Sequence, residues 1–563
     1  MGETTHSGTG PIRDNEGVDD GLAQLLTRGR RALADGDWAA ARACFEDAVG
    51  LDNSAAALDG LAQALFSQGD YAAAIDRGEQ AFAAYRVAGC DAEAAACARF
   101  IGYLHGVVYG NGAAMSGWLS RAVRLIERAG DCLERARIEL TRATMATDPQ
   151  ARDQHLARAV EIAERLGGTD IVFDAMSQRG LHMVAAGSVE AGMALLDEAL
   201  AAVAAGEVRD LISVGAMYCK MLHACELTSD VRRAEEWLAL ADRFVERTNK
   251  IPISAICRTH YGGVLTAAGR WDDAERELVT SIELYDRSFR ALRGAAVVRL
   301  AGLRVRQGRL AEAAELLVGV DHDSHAIQPS VELHLARGEA DLAVALIERY
   351  FRAHPPGELA GPVLLLLVQA QLALGDSAAA GAATERLGAL GAAQSHPLVT
   401  ALVERARGLI AVAASEPSAV GHLEAAIVAF GQLGLPLERA RTQLDLACVL
   451  APAQPAMALI EARAALERFQ ALAATRDADA ATSLMRQLGV RGHSAPRGTG
   501  TLTGREQEVM ELLGQGTSNL DIAARLFVSR RTVEHHVSNI LAKLGLGSRA
   551  EVAAYLVRRD ARR

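Results

Sequence analysis

At 563 residues the chain is too long for one compact core, and half of its residues are hydrophobic while only 4% are aromatic. An Ala- and Leu-rich composition with 13 prolines favours an all-α chain, built as several domains or as a repeat array that grows without a single core. The formal charge of −11 excludes nucleic-acid binding along the whole surface, but it is unevenly spread. Residues 501–563 hold ten Lys and Arg against seven Asp and Glu, a balance of +3 that leaves −14 on the rest. An acidic body with a basic tail is what is expected if only the tail touches phosphate.

Residues 1–17 are polar and Gly-rich, without a signal peptide, and are expected to be disordered. From residue 18 a short phrase recurs: Gly, a polar residue, a hydrophobe, then an Ala-rich stretch. It reads Gly36-Asp37-Trp38, Gly69-Asp70-Tyr71, Gly187-Ser188-Val189, Gly269-Arg270-Trp271 and Gly308-Arg309-Leu310, with a weaker copy at Gly375-Asp376-Ser377. The first interval, Trp38 to Tyr71, is 33 residues, and Trp271 to Leu310 is 39. Ten residues after the hydrophobe stands a small residue: Ala48, Ala81, Ala199, Ser281. Gly ends one helix, the hydrophobe opens the next, and the small residue lets the two approach. The pattern resembles tetratricopeptide repeats, most closely over 20–83 and again over 187–390. It implies a helical solenoid over 18–490, whose surface could hold a peptide, protein or small-molecule effector.

The eight cysteines are scattered without Cys-x-x-Cys, as expected of small buried hydrophobes in a reducing cytoplasm. Asp321, His322, Asp323 and His325, with His334 beyond, crowd ligand types together but match no metal spacing, and read as a polar turn between helices. The apolar run Pro362–Val368 is too short to span a bilayer, so no membrane partner is expected. Leu435-Pro436-Leu437-Glu438-Arg439-Ala440-Arg441 opens a last helix pair ending near Leu488. Residues 491–500 carry Gly, Ser, Pro and His without periodicity and read as a linker.

Beyond it, 501–563 reads as four short helices. Thr503 and Glu506 form a capping box for the first, whose inner positions are Val509, Leu512 and Leu513. Ser518 caps the second, with Ile522, Ala523 and Leu526 facing inward, and Ser529 caps the third. On the third, Val533, Val537, Ile540 and Leu544 form one buried stripe. Its other face carries Arg530, Arg531, Glu534, His535, Ser538 and Ala542, an arrangement suited to the DNA major groove. A fourth helix is expected from Ser548 to about Arg558.

The segment 502–558 resembles the LuxR-type helix-turn-helix domain. The resemblance is carried by Leu502-Thr503-Gly504-Arg505-Glu506, Ser518-Asn519, Ile522-Ala523, Leu526, Ser529, Thr532-Val533, His536, Asn539-Ile540 and Lys543-Leu544, with the helix-turn-helix motif at about 521–540. It implies a homodimer on double-stranded DNA and transcriptional control, with RNA polymerase as a further partner. Arg530, Glu534, His535 and Ser538 are then the expected base contacts. Asn519, Arg531, Thr532, His536 and Lys543 are the expected phosphate contacts. Glu534 is acidic where many such domains carry Lys or Arg, which suits a cytosine amino group better than a phosphate.

The combination of repeats and terminal module also resembles large ATP-dependent LuxR-type regulators. The three lysines, Lys220, Lys250 and Lys543, do not follow a Gly, so this sequence has no P-loop for that ATP. Neither Gly-x-Ser-x-Gly nor His-Glu-x-x-His is present. No enzyme activity, catalytic residue, cofactor or metal is expected. The alternative to a regulator is a repeat-based interaction scaffold whose terminal domain is vestigial or only dimerises.

Overall fold

The computed structural model describes residues 13–320, 323–353, 360–393, 396–489, 504–514, 517–526 and scattered positions from 533 to 552. Among the described residues all regular structure is helical and there is no strand. The chain forms two compact units, 1–484 and 485–563.

The first unit is a series of antiparallel helix pairs. The opening pair, Arg13–Asp35 and Trp38–Leu51, shows what the recurring phrase does. Gly36 adopts φ +79°, a left-handed turn open to a residue without Cβ. The amide of Asp37 then reaches back to the Ala32 carbonyl at 2.9 Å, closing the first helix. The Asp37 carboxylate accepts from the Ala40 amide at 3.0 Å, starting the second. The weak copy makes the same turn, with Asp376 accepting from the Ala379 amide at 2.9 Å, because the cap does not need the missing hydrophobe. Ala48, Ala81, Ala199 and Ser281 are all fully buried, as close helix contact requires.

Three features go beyond what the recurring phrase marks. The first helix starts at Arg13, ahead of the boundary expected at 18. The pairing runs unbroken through 84–186, where the phrase is silent. There Asn111 supplies the cap, accepting from the Ala114 amide at 3.0 Å. The stretch after Leu435 holds three helices, Pro436–Leu450, Pro455–Ala471 and Thr475–Gln487, rather than a pair. The expected linker at 491–500 lies outside the described residues.

The helices Thr169–Ala185 and Val189–Ala204 approach backbone to backbone. A Cβ on Gly192 would stand 2.6 Å from the Gly180 carbonyl oxygen and 2.8 Å from the Val184 amide nitrogen. Both neighbours are backbone and cannot rotate away. Gly192→Ala is therefore expected to lower stability by about 1–3 kcal/mol, although Ala is the better helix former. A fall in the urea midpoint checks this.

The first helices of successive pairs also pack on one another, as Thr169–Ala185, Leu211–Thr228 and Ile251–Ala267 do. Units far apart in sequence meet as well. Trp38 Nε1 donates to the Thr248 carbonyl at 2.6 Å. Lys250 Nζ donates to Ser67 Oγ at 2.9 Å and lies 4.2 Å from the Trp38 ring centroid. Thr475 Oγ1 donates to the Gln307 carbonyl at 2.9 Å. A simple solenoid has contacts between neighbouring units only. Here one core cluster joins residues of 184–303 to residues of 437–481. Among the described residues no helix is long and apolar enough to cross a membrane.

Candidate nucleic-acid interface

In the second unit the helix Gly504–Gly514 buries Val509, Met510 and Leu513. Glu506, the expected capping-box carboxylate, is only 4% exposed; Thr503 lies outside the described residues. The next helix, Asn519–Leu526, has the cap read from the sequence. The Ser518 carbonyl accepts from the Ile522 amide at 2.9 Å, and its hydroxyl lies 3.3 Å from the Asp521 amide and donates to Asp521 Oδ2 at 2.5 Å. Ile522 and Ala523 are buried on one side.

The described backbone is helical again at 533–534, 536–537, 540–541 and 544. Val533 and Ile540 are fully buried, and Val537, Leu541 and Leu544 pack around the same core. Val552 closes it. With 533, 537 and 540 turned inward, Glu534 is exposed, as its place on the outer face requires. Asn519 and His536 are half-buried. Arg530, Arg531, Thr532, His535, Ser538 and Lys543 lie outside the described residues. The described part is thus a small apolar core from which Glu534 stands outward.

A second concentration of chemistry lies in the array, where the sequence showed no motif. On the helix Leu211–Thr228, Glu226 is bound by Arg299 through Nε at 2.7 Å and Nη2 at 2.8 Å. His260 Nδ1, on the helix Ile251–Ala267, lies 2.7 Å from Glu226 Oε2. The rings of His223 and His260 stack with centroids 4.5 Å apart. The helices need Gly263 here, since a Cβ would collide with the Glu226 carboxylate. Burial pushes Glu226 upward, but the Arg299 guanidinium and the His260 hydrogen bond outweigh it and hold it well below the usual carboxylate range. Burial, helped by His223, pulls His260 down to about 4 from 6.5 despite Glu226.

Both shifts have the same sign for stability. Between about pH 6.5 and 4 the unfolded chain protonates His260 while the folded chain does not, so stability falls as pH drops through that window. Glu226 adds a further loss below its unfolded pKa of about 4.3. The urea midpoint is expected to fall across the window, and His260→Gln is expected to flatten the upper part of the fall. An unchanged profile in that variant would assign the pH dependence to other groups.

Of the cluster singled out in the sequence, Asp323 and His325 pair, with His325 Nδ1 3.1 Å from Asp323 Oδ1, and His334 turns to another partner. Asp323 caps a short turn, accepting from the His325 amide at 2.9 Å, and His334 Nδ1 pairs with Glu339 at 2.7 Å. Asp321 and His322 lie outside the described residues. Sequence reading missed the Glu226 group because its members lie on three helices. The available signal was a repeat offset, which sets Cys219 opposite Cys257 and His223 opposite His260.

Residues 500–556 match the family of bacterial regulatory proteins described as the luxR family. A protein of Mycobacterium tuberculosis named as an HTH-type transcriptional regulator is 51% identical over 63 residues, which make up 11% of this chain and 7% of that protein. The spore germination protein GerE of Bacillus subtilis is 46% identical over 57 residues, 10% of this chain and 77% of its own. The oxygen regulatory protein NreC of Staphylococcus aureus is 43% identical over 58 residues, 10% of this chain and 27% of its own. The chain thus spans only 7% of the length of the mycobacterial relative it matches. Among solved structures, the Cut9–Hcn1 hetero-tetramer of the APC/C is similar at a TM-score of 0.42 and 14% identity, over 83% of this chain and 96% of that one. The repeat architecture rests on the helix pairing itself.

Proposed function

Because residues 500–556 form a LuxR-type helix-turn-helix domain, we propose that this protein is a cytoplasmic, sequence-specific regulator of transcription. The observation that carries the reading is the family match, laid over a small core that turns position 534 outward. The domain binds duplex DNA as a dimer, with Arg530, Glu534, His535 and Ser538 toward base edges. Asn519, Arg531, Thr532, His536 and Lys543 lie toward phosphate. The charge balance supports this: the tail carries +3 and the acidic remainder repels DNA. The array senses an effector or partner protein, and RNA polymerase is the partner at the promoter. Phosphate contacts make binding fall steeply with salt.

The test is selection of DNA by the full chain at two salt concentrations. Enrichment of a two-fold symmetric site, with half-sites about 34–36 Å apart, supports a dimeric regulator. Arg531→Ala is expected to weaken binding to all sequences, and His535→Ala to change preference at particular base pairs. No enrichment from a fully helical protein would favour an interaction scaffold instead.

A further inference from the structure

The helices Leu211–Thr228 and Ile251–Ala267 lie side by side, and their facing residues follow a repeat offset. Gly215 faces Ile253, Cys219 faces Cys257, His223 faces His260, and Glu226 faces Gly263. One middle step sets two thiols side by side, and the next sets two imidazoles side by side. We propose that this seam is a binding site for a thiophilic divalent cation of the zinc class, with Cys219, Cys257, His223 and His260 as its four ligands.

Spacing comes first. Cys219 and His223 are four apart on one helix, and Cys257 and His260 three apart on the other, so each pair projects from one helical face. The set is the Cys2His2 combination that closes a tetrahedral structural site. The two Sγ atoms are 3.7 Å apart, and both cysteines are free. A tetrahedron with metal–sulfur bonds of about 2.3 Å has an edge of about 3.8 Å. The thiols already stand at the separation one ion would impose.

The outer groups fit as well. A metal-binding imidazole usually has its second nitrogen held by a carboxylate. His260 Nδ1 is held by Glu226, which leaves Nε2 as the nitrogen for an ion. A Glu226 oxygen lies within 4.8 Å of ligand nitrogens of His223 and His260, but Arg299 engages both of its oxygens, so the orienting role is assigned to it. The imidazoles lie about one turn, roughly 6 Å, along the helices from the thiols, so binding turns the rings toward the sulfurs and opens their stack. Cys219, His223 and His260 are half-buried, which leaves an entry path, while Cys257 is buried. On binding, each thiol gives up its proton to solvent, and two thiolates neutralise the ion's two charges. Sulfur and imidazole ligands select zinc-class ions over Mg2+ and Ca2+. The site stands whether or not the chain binds DNA.

The test titrates the full-length protein, reduced and freed of metal, with Co2+ and then displaces it with Zn2+. One equivalent of Co2+ is expected to give sulfur-to-metal charge transfer and the intense visible bands of tetrahedral coordination, both erased by Zn2+. Cys219→Ser is expected to abolish the charge transfer at one equivalent. Glu226→Gln is expected to weaken affinity about 10–100-fold while keeping the spectrum. Circular dichroism checks that each variant is folded. Where Cys257→Ser does not fold, the half-exposed Cys219→Ser and His223→Asn carry the test. Octahedral Co2+ without charge transfer in the wild-type protein would overturn the proposal. So would a full signal surviving Cys219→Ser, which would assign the metal to another thiol such as the exposed Cys448.

Discussion

Ile540→Asp is expected to abolish DNA retardation while the helical signal of the array persists. Ile540 is fully buried beside Val509, Met510, Leu513, Ile522, Val533 and Val552. A carboxylate there either stays charged in an apolar core or is forced to take up a proton, at a cost of several kcal/mol. A unit of this size has roughly 3–5 kcal/mol in hand, so the substitution unfolds it. Ile540→Val removes one methyl group, costs about 0.5–1.5 kcal/mol, and is expected to keep DNA binding. Retardation assays with both variants, beside circular dichroism, separate loss of the domain from loss of the whole chain. Full retardation by Ile540→Asp would place the DNA contact outside the C-terminal unit.

Glu226→Ala is expected to have the largest effect within the array, a loss of about 3–5 kcal/mol. It leaves the Arg299 guanidinium, whose side chain is 13% exposed, without the carboxylate that accepts two of its hydrogen bonds, and it takes the acceptor from His260. Removing both members of the pair, Glu226→Ala with Arg299→Ala, is expected to cost less than the sum of the single changes. Gly263 supplies an internal check. Gly263→Ala should destabilise the wild-type protein by forcing the carboxylate aside. In the Glu226→Ala background it should be neutral or stabilising, since Ala is worth about 1 kcal/mol over Gly in a helix. Hydrogen exchange across 211–228, 251–267 and 293–307 localises the loss within the array. Uniform protection in Glu226→Ala would mean that the ion pair contributes nothing net.

The C-terminal unit was legible because each of its signals is local. Ser518 and Asp521 are three apart, and 533, 537, 540 and 544 follow one helical stripe, so capping and periodicity name the buried face from sequence alone. The turn at Gly36-Asp37-Trp38 is local in the same way. Where the cap changed to Asn111 or the boundary to Arg13, the pattern fell silent although the helices continued. Glu226, His260 and Arg299 were not legible as a group, because the charge of each reads as one more solvated helix face until the helices are laid side by side.

Sequence alone determined that the chain is helical, that it repeats, and that a LuxR-type module stands at 502–558, which the family match over 500–556 overlaps. Those properties depend on residues within a turn or two of one another. Tertiary structure decided that distant units touch, as Trp38 does at Thr248 and Thr475 at Gln307. It also decided that four scattered ligand-type side chains share one seam. The curl of such an array accumulates from a small rotation at each helix pair, and no single segment of the sequence encodes that sum.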